Sequence, residues 1–208
     1  MAESGPPAEL DARVRRTRGR LFEAVVRLAS ERPVEDIAVA DLVRAARINR
    51  TTFYKHASSP AQVLEQVLYA DLDRVRTAWI TDVTAAELPV AVIWERASRL
   101  LLDHLERYDR VYTAGLVGHR SAILHRLLVD HFTMSVRTVL DRDPGLLPAG
   151  EGRATWRAAA HSAFLGHGEA GLVETWLSLP SPRDRDLFVS AASAALPGWL
   201  VPTSETPA

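Results

Sequence analysis

Between Val39 and His56 the chain reads VADLVRAARINRTTFYKH, and few arrangements accommodate that stretch. Leu42, Val43 and Ala46 form an apolar stripe at helical spacing, and Ala45 is small enough to let a second helix cross closely. A turn is expected at Arg47, Ile48 and Asn49. Ile48 is placed to fill the space between two helices, and Asn49 is a good N-cap because its side-chain oxygen accepts from the free amides of the next turn. The second helix is predicted from Arg50 to His56. Phe53, its one large apolar residue, must face inward, which leaves Arg50, Thr51, Tyr54, Lys55 and His56 on or near the outer face. A helix so short and so polar is not a core element. Its composition suits the DNA major groove, where arginine reads guanine, a threonine methyl meets thymine, and hydroxyl or cationic groups hold phosphates. The bland alternative is a protein-binding helix face.

The run Arg47-Ile-Asn-Arg-Thr-Thr-Phe-Tyr-Lys-His56 resembles the recognition segment of the TetR family of bacterial transcriptional regulators. That segment usually runs small, small, Gly, apolar, Ser, two variable residues, Thr, aromatic, Tyr, one variable residue, His. The resemblance extends by motif over residues 16–67 and by helix layout over the remainder. Two positions depart from it. Arg47 stands where the family has Gly, so a left-handed turn there costs about 1 kcal/mol unless the turn is reshaped. Pro60 stands where a phosphate-contacting Lys is common.

Charge and composition agree with a chain that docks on DNA at one end. The net charge is only −1, but residues 1–57 carry eleven Lys and Arg against eight Asp and Glu, or +3, leaving −4 for the rest. An acidic body repels DNA and lets only the basic end approach. With 208 residues, 47% of them hydrophobic, a sizeable core is available. The chain has no cysteine, which excludes disulfides and thiolate metal sites and fits a reducing cytoplasm. No apolar run approaches the about 20 residues that span a bilayer, and the first ten residues lack a signal-peptide core, so a soluble, cytoplasmic protein is expected. There is no Gly-rich phosphate loop, no Gly-x-Ser-x-Gly elbow and no His-Glu-x-x-His, so an enzyme is not expected.

In chain order, residues 1–12 read as a disordered tail and residues 13–57 as a helix-turn-helix DNA-binding domain. Arg13, Arg15, Arg16, Arg18 and Arg20, with no acid among them, read as an arm that contacts phosphate or the minor groove. A first helix is predicted from Thr17 to Ser30, stopped by Pro33. Ser59 as N-cap and Pro60 at the first helical position open a long helix to about Ile80, followed by a loop from Thr81 to Pro89. Further helices are predicted over Val90–Arg107, a short segment Asp109–Leu116, His119–Leu140, Arg153–Leu177 and Asp184–Leu196. Nothing alternates with a period of two, so the fold is expected to be all-α. Residues 58–197 would form an effector-binding and dimerisation domain, with 198–208 a tail.

The last two helices carry a stripe of small residues, and three glycines in one helix cost about 1 kcal/mol each against alanine. Close approach of another helix would offset them. The resemblance implies that these helices pair with their symmetry mates in a four-helix dimer interface, through Ala159, Ala163, Gly166 and Ala170 with Phe188, Ala191, Ala192 and Ala195. The alternative is packing within the chain.

Specificity calls for a homodimer. One bidentate base contact discriminates by only about 1–3 kcal/mol, so a palindrome read by two helices in successive major grooves, about 34 Å apart, is expected. The DNA-binding set is Arg16, Arg18, Asn49, Arg50, Thr51, Thr52, Tyr54, Lys55 and His56. The family's small-molecule effector pocket would be lined by Trp79, Trp94, His104, Tyr108, Tyr112, Phe132 and Trp156, although aromatic residues are more often plain core. No cofactor and no metal site is expected. The reading is a ligand-responsive regulator, in the family usually a repressor, whose effector shifts the helix from Ser59 to Ile80. The alternative is an all-α dimeric ligand-binding or protein-interaction module that has lost specific DNA binding.

Overall fold

In a computed structural model, residues 7–85, 87–119 and 121–200 are described. All regular elements among them are helical: α1 (Pro7–Ala29), α2 (Val39–Ala45), α3 (Arg50–Tyr54), α4 (Pro60–Ala85), α5 (Val90–Arg107), α6 (Asp109–Tyr112), α7 (Ala122–Arg142), α8 (Ala154–Leu177) and α9 (Arg185–Ala195). A π-helical turn, Thr113–Gly118, continues α6. None of these helices is long and apolar enough to cross a membrane.

Several boundaries move from their sequence expectations. α1 starts at Pro7, so residues 7–12 are helical and only 1–6 of the assigned tail lie outside the described residues. Proline suits a first helical turn, and the Ala, Leu and Arg that follow are good helix formers. α4 runs through the segment assigned to a loop and stops at Ala85. The Thr81 and Thr84 hydroxyls bond back to the carbonyls of Thr77 and Ile80, and no Gly or Pro intervenes before Pro89. α3 is shorter than expected, ending at Tyr54.

The chain divides into two compact units. One comprises Met1–Leu68 and Tyr108–Ile123, the other Tyr69–Arg107 and Leu124–Ala208. The division therefore differs from a boundary at residues 57 and 58. In the first unit Leu21 and Val25 of α1, Leu42 of α2, Phe53 of α3 and Leu64 and Leu68 of α4 are all buried from solvent. The segment from Tyr108 joins that unit through α6, which packs on α1, and through Ser121, whose hydroxyl donates to the Glu35 carboxylate at 2.5 Å.

In the second unit Trp79, Ile93 and Val139 form one cluster, and Val136, Leu140 and Ala158 another. Trp199 packs against the second cluster, its ring 5.2 Å from that of His161, and Leu200 is buried. Residues 198–200 are thus docked and are not a free tail, while 201–208 lie outside the described residues. Asp184 caps α9 by accepting from the Asp186 and Leu187 amides, and Trp176 Nε1–H donates to the Asp184 carbonyl at 2.9 Å. Arg185 reaches across to α5, to Asp103 at 2.6 Å and Glu106 at 3.2 Å.

Candidate functional site

The exposed face of α3 is set by the turn before it. α2 closes at Ala46, and Arg47 then adopts φ +52°, a left-handed conformation. The Arg47 amide donates to the Arg44 carbonyl at 3.2 Å and the Ile48 amide to the Val43 carbonyl at 3.0 Å. This pair of bonds is the Schellman arrangement that satisfies the last carbonyls of a helix, here with arginine in the glycine position. The chain leaves the turn extended at Asn49, whose Oδ1 accepts from the Thr52 amide at 2.7 Å and caps α3. Phe53 is completely buried and fixes the roll of the helix, so Arg50, Thr51, Tyr54 and Lys55 stand exposed while Thr52 and His56 are half-buried. The side chains of Arg50, Thr51 and Lys55 hold no hydrogen bond or ion pair among the described residues.

Arginines of α1 flank this face on two sides. One concavity is lined by Arg13, Arg16, Thr17 and Arg20 of α1 together with Arg47, Ile48, Asn49 and Thr52. A second brings Arg18 and Phe22 to Lys55 and His56, with the Arg18 guanidinium 4.9 Å from the Phe22 ring centre. All nine residues of the sequence-derived DNA set therefore lie on α3 with its turn or in the two concavities beside it. Arg13 and Arg20, read from the sequence as part of the basic arm, line the first concavity with Arg16 and Thr17; Arg47, at left-handed φ, joins them there and was not assigned to the site.

A separate cavity lies inside the second unit. Its walls are Val75, Arg76 and Trp79 of α4, Trp94, Ala97, Ser98 and Leu101 of α5, His131, Phe132, Ser135 and Val136 of α7, and Glu169 of α8. It leaves about 60 Å³ in which the centre of a water molecule can move. Trp79 and Trp94 meet edge to face, with ring centres 6.3 Å apart. Arg76 is held by Asp73 one turn back on α4. Burial, and then the Arg76 charge, push His131 down to about 3, so it is neutral at pH 7. Glu169 is half-buried, and burial pushes its carboxyl up to about 7. It has no hydrogen-bond or ion-pair partner among the described residues.

Solved structures share this arrangement of helices. A Syntrophomonas wolfei protein assigned to the TetR-family transcriptional regulators superposes with a TM-score of 0.58 at 10% identity, over 86% of this chain and 91% of that one. RolR in complex with resorcinol gives 0.55 at 19% identity, over 95% and 98% of the two chains. The fold is TetR-like. A Clostridium perfringens protein assigned to the regulation of fatty acid metabolism gives 0.52 at 13% identity, over 87% and 96%. No family model matches the sequence, and no curated protein matches it either.

Within this TetR-like fold the expected pocket residues separate. Trp79, Trp94 and Phe132 line the cavity; the other four do not. His104 is buried with Nδ1 2.9 Å from Asp71, a carboxylate also held by Arg107 at 2.9 Å and Arg74 at 2.7 Å, so its place is in a structural network between α4 and α5. Tyr108 and Tyr112 belong to the first unit, Tyr112 fully buried in it. Trp156 is 66% exposed near the start of α8. Glu169, Arg76, Ser98 and His131 were not in the predicted lining; the one available signal was a carboxylate at Glu169 set between Gly168 and Ala170 of α8.

The expected dimer residues separate as well. Gly166, Ala170, Phe188 and Ala192 are buried within the chain. At Gly166 a Cβ would lie 2.2 Å from Thr133 Oγ1 and 2.8 Å from its backbone nitrogen, so this glycine serves the contact of α8 with α7. Ala159, Ala191 and Ala195 are exposed and Ala163 is half-buried. Beside them lie Phe164 at 79% exposure and Leu187 at 57%, with Gly168 and Gly171, where a Cβ would meet nothing. Phe164, Gly168, Gly171 and Thr175 recur at helical intervals, so α8 presents a face of its own.

Proposed function

We propose that the chain is a ligand-responsive transcriptional regulator of TetR type, a repressor that binds palindromic operator DNA as a homodimer. The observation that carries the reading is the α3 face: Arg50, Thr51, Tyr54 and Lys55 exposed over a buried Phe53 and flanked on both sides by arginines of α1. In a major groove Arg50, Thr51 and Tyr54 would meet base edges, while Thr52, Lys55, His56, Arg16 and Arg18 would hold phosphates. Asn49 acts by starting the helix at the right residue, since its oxygen is taken up by the Thr52 amide.

For the dimer contact we favour the exposed face of α8 and α9, Phe164, Gly168, Gly171, Leu187, Ala191 and Ala195, over the residues already buried inside the chain. Burying Phe164 and Leu187 in a second copy removes large apolar surface from water, and the two glycines allow close backbone approach. The cavity is the proposed effector site. RolR, with its resorcinol, supports a small molecule in such a fold. α4 is one continuous helix from Pro60, beyond α3, to Trp79 in the cavity wall, so a ligand that favours one position of α4 would change the separation of two recognition helices. Only a ligand with different affinity for the two states does this, and about 1–3 kcal/mol of coupling is typical. These assignments give the chain a binding role without catalysis.

The test is selection of duplexes from a random DNA library at physiological salt, with the mass of the bound species measured alongside. Enrichment of one palindrome bound by two chains is expected. A folded, dimeric protein that enriches nothing would overturn the operator reading and leave a ligand-binding module.

A further inference from the structure

The charges lining the cavity are unequal in their engagement. From α4, Arg76 is ion-paired with Asp73 on its own helix. From α7, His131 is uncharged at pH 7, and from α5 the lining is apolar or aromatic apart from the Ser98 hydroxyl and the Trp94 Nε1–H, a buried donor with no partner among the described residues. That leaves the Glu169 carboxylate of α8, with no partner among the described residues, against the rings of Trp79, Trp94 and Phe132. A carboxylate in such surroundings has an unfilled requirement for positive charge, and aromatic rings attract a cation through the negative potential of their faces.

We propose that the cavity takes a small organic cation, a protonated amine or quaternary ammonium group on a compact apolar frame, with Glu169 as its counter-charge and the aromatic residues as its walls. The inference rests on reading the cavity as the ligand site. Its size limits the ligand. At about 10–15 Å³ of such space per water, 60 Å³ is room for about four to six waters, close to one small ring with a substituent. Binding is coupled to protonation. Burial holds Glu169 up at about 7, and a cation beside it favours the carboxylate, so binding near neutral pH releases protons.

The experiment is a calorimetric and tryptophan-fluorescence titration of the whole chain with benzylammonium, benzyl alcohol and benzoate, which share a ring and differ in charge. At pH 8, where Glu169 is ionised, benzylammonium is expected to bind at least about tenfold more tightly than benzyl alcohol, with benzoate weakest. The preference should shrink at pH 5.5, as Glu169 takes up its proton, and vanish in Glu169→Gln while the affinity for benzyl alcohol is retained. Titration of the unaltered chain in two buffers of different ionisation enthalpy reads proton release without any variant. Benzyl alcohol or benzoate binding as tightly as the amine, or amine binding without proton release, would overturn the cation and leave the cavity as a ligand site. No binding of any of the three at millimolar concentration would sink the ligand-site reading together with the inference.

Discussion

Arg47→Gly separates the two things that Arg47 does. A left-handed backbone costs an L-residue about 1–2 kcal/mol, and Arg47 holds φ +52° in the turn that aims α3. Glycine removes that strain but gives back about 0.5–1 kcal/mol through its greater freedom in the unfolded chain. The net expectation is a gain of about 0.5–1 kcal/mol, or about 1–4 °C in Tm for a chain of this size. Arg47→Ala keeps the strain and loses the same charge, so it should be no more stable than the unaltered chain. Both variants take one positive charge from the concavity beside α3, and both should lower the salt slope of DNA binding by about one. Thermal denaturation followed by circular dichroism, with DNA titrations at several salt concentrations, reads the two effects. If Arg47→Gly melts no higher than Arg47→Ala, the turn is not strained at this residue and the reasoning fails.

Gly166→Ala would drive a Cβ into Thr133 and should destabilise by about 1–3 kcal/mol in urea, because the backbone nitrogen at 2.8 Å cannot move aside as a side chain can. Gly168→Ala meets open space and should stabilise the isolated chain by up to about 1 kcal/mol while weakening self-association in sedimentation equilibrium. Glu169 keeps its proton to about pH 7 when folded but to about 4.5 when unfolded, so its contribution is full below pH 4.5 and is lost as pH rises through 7. Urea denaturation should therefore find Glu169→Gln unchanged near pH 4.5 and more stable by about 1–3 kcal/mol at pH 8. His131 acts at the other end of the range: neutral in the fold down to about pH 3, it makes stability fall as the unfolded chain protonates below 6.5. Asp71→Asn should cost about 1–3 kcal/mol, because it removes the charge and one of the two acceptor oxygens that His104, Arg74 and Arg107 share.

The helices and turn from α2 to α3 were legible because their signals are local. Asn49 caps within three residues, Phe53 is the only large apolar side chain in α3, and the arginine repeat of α1 shows its period directly. The all-α class followed from the same periodicity. What escaped depends on distant neighbours. The glycines of α8 were all candidates for close helix contact, but only Gly166 has Thr133 against it. Aromatic residues suggested a cavity, yet nothing in the spacing separates Trp94, in its wall, from Trp156, which is exposed, or from Tyr112, which is core of the other unit. Glu169 gave little signal because a carboxylate in a helix is usually solvated, and only packing from other helices makes it otherwise.

Repeating the library selection with Arg50→Ala and Lys55→Ala tests whether the outer face of α3 reads duplex DNA. Arg50→Ala is expected to recover the same palindrome with preference relaxed at one base position in each half-site, at a cost of about 1–3 kcal/mol, and Lys55→Ala to recover it unchanged with uniformly weaker binding. Recovery of an identical site at undiminished affinity by both variants would contradict DNA reading by this face.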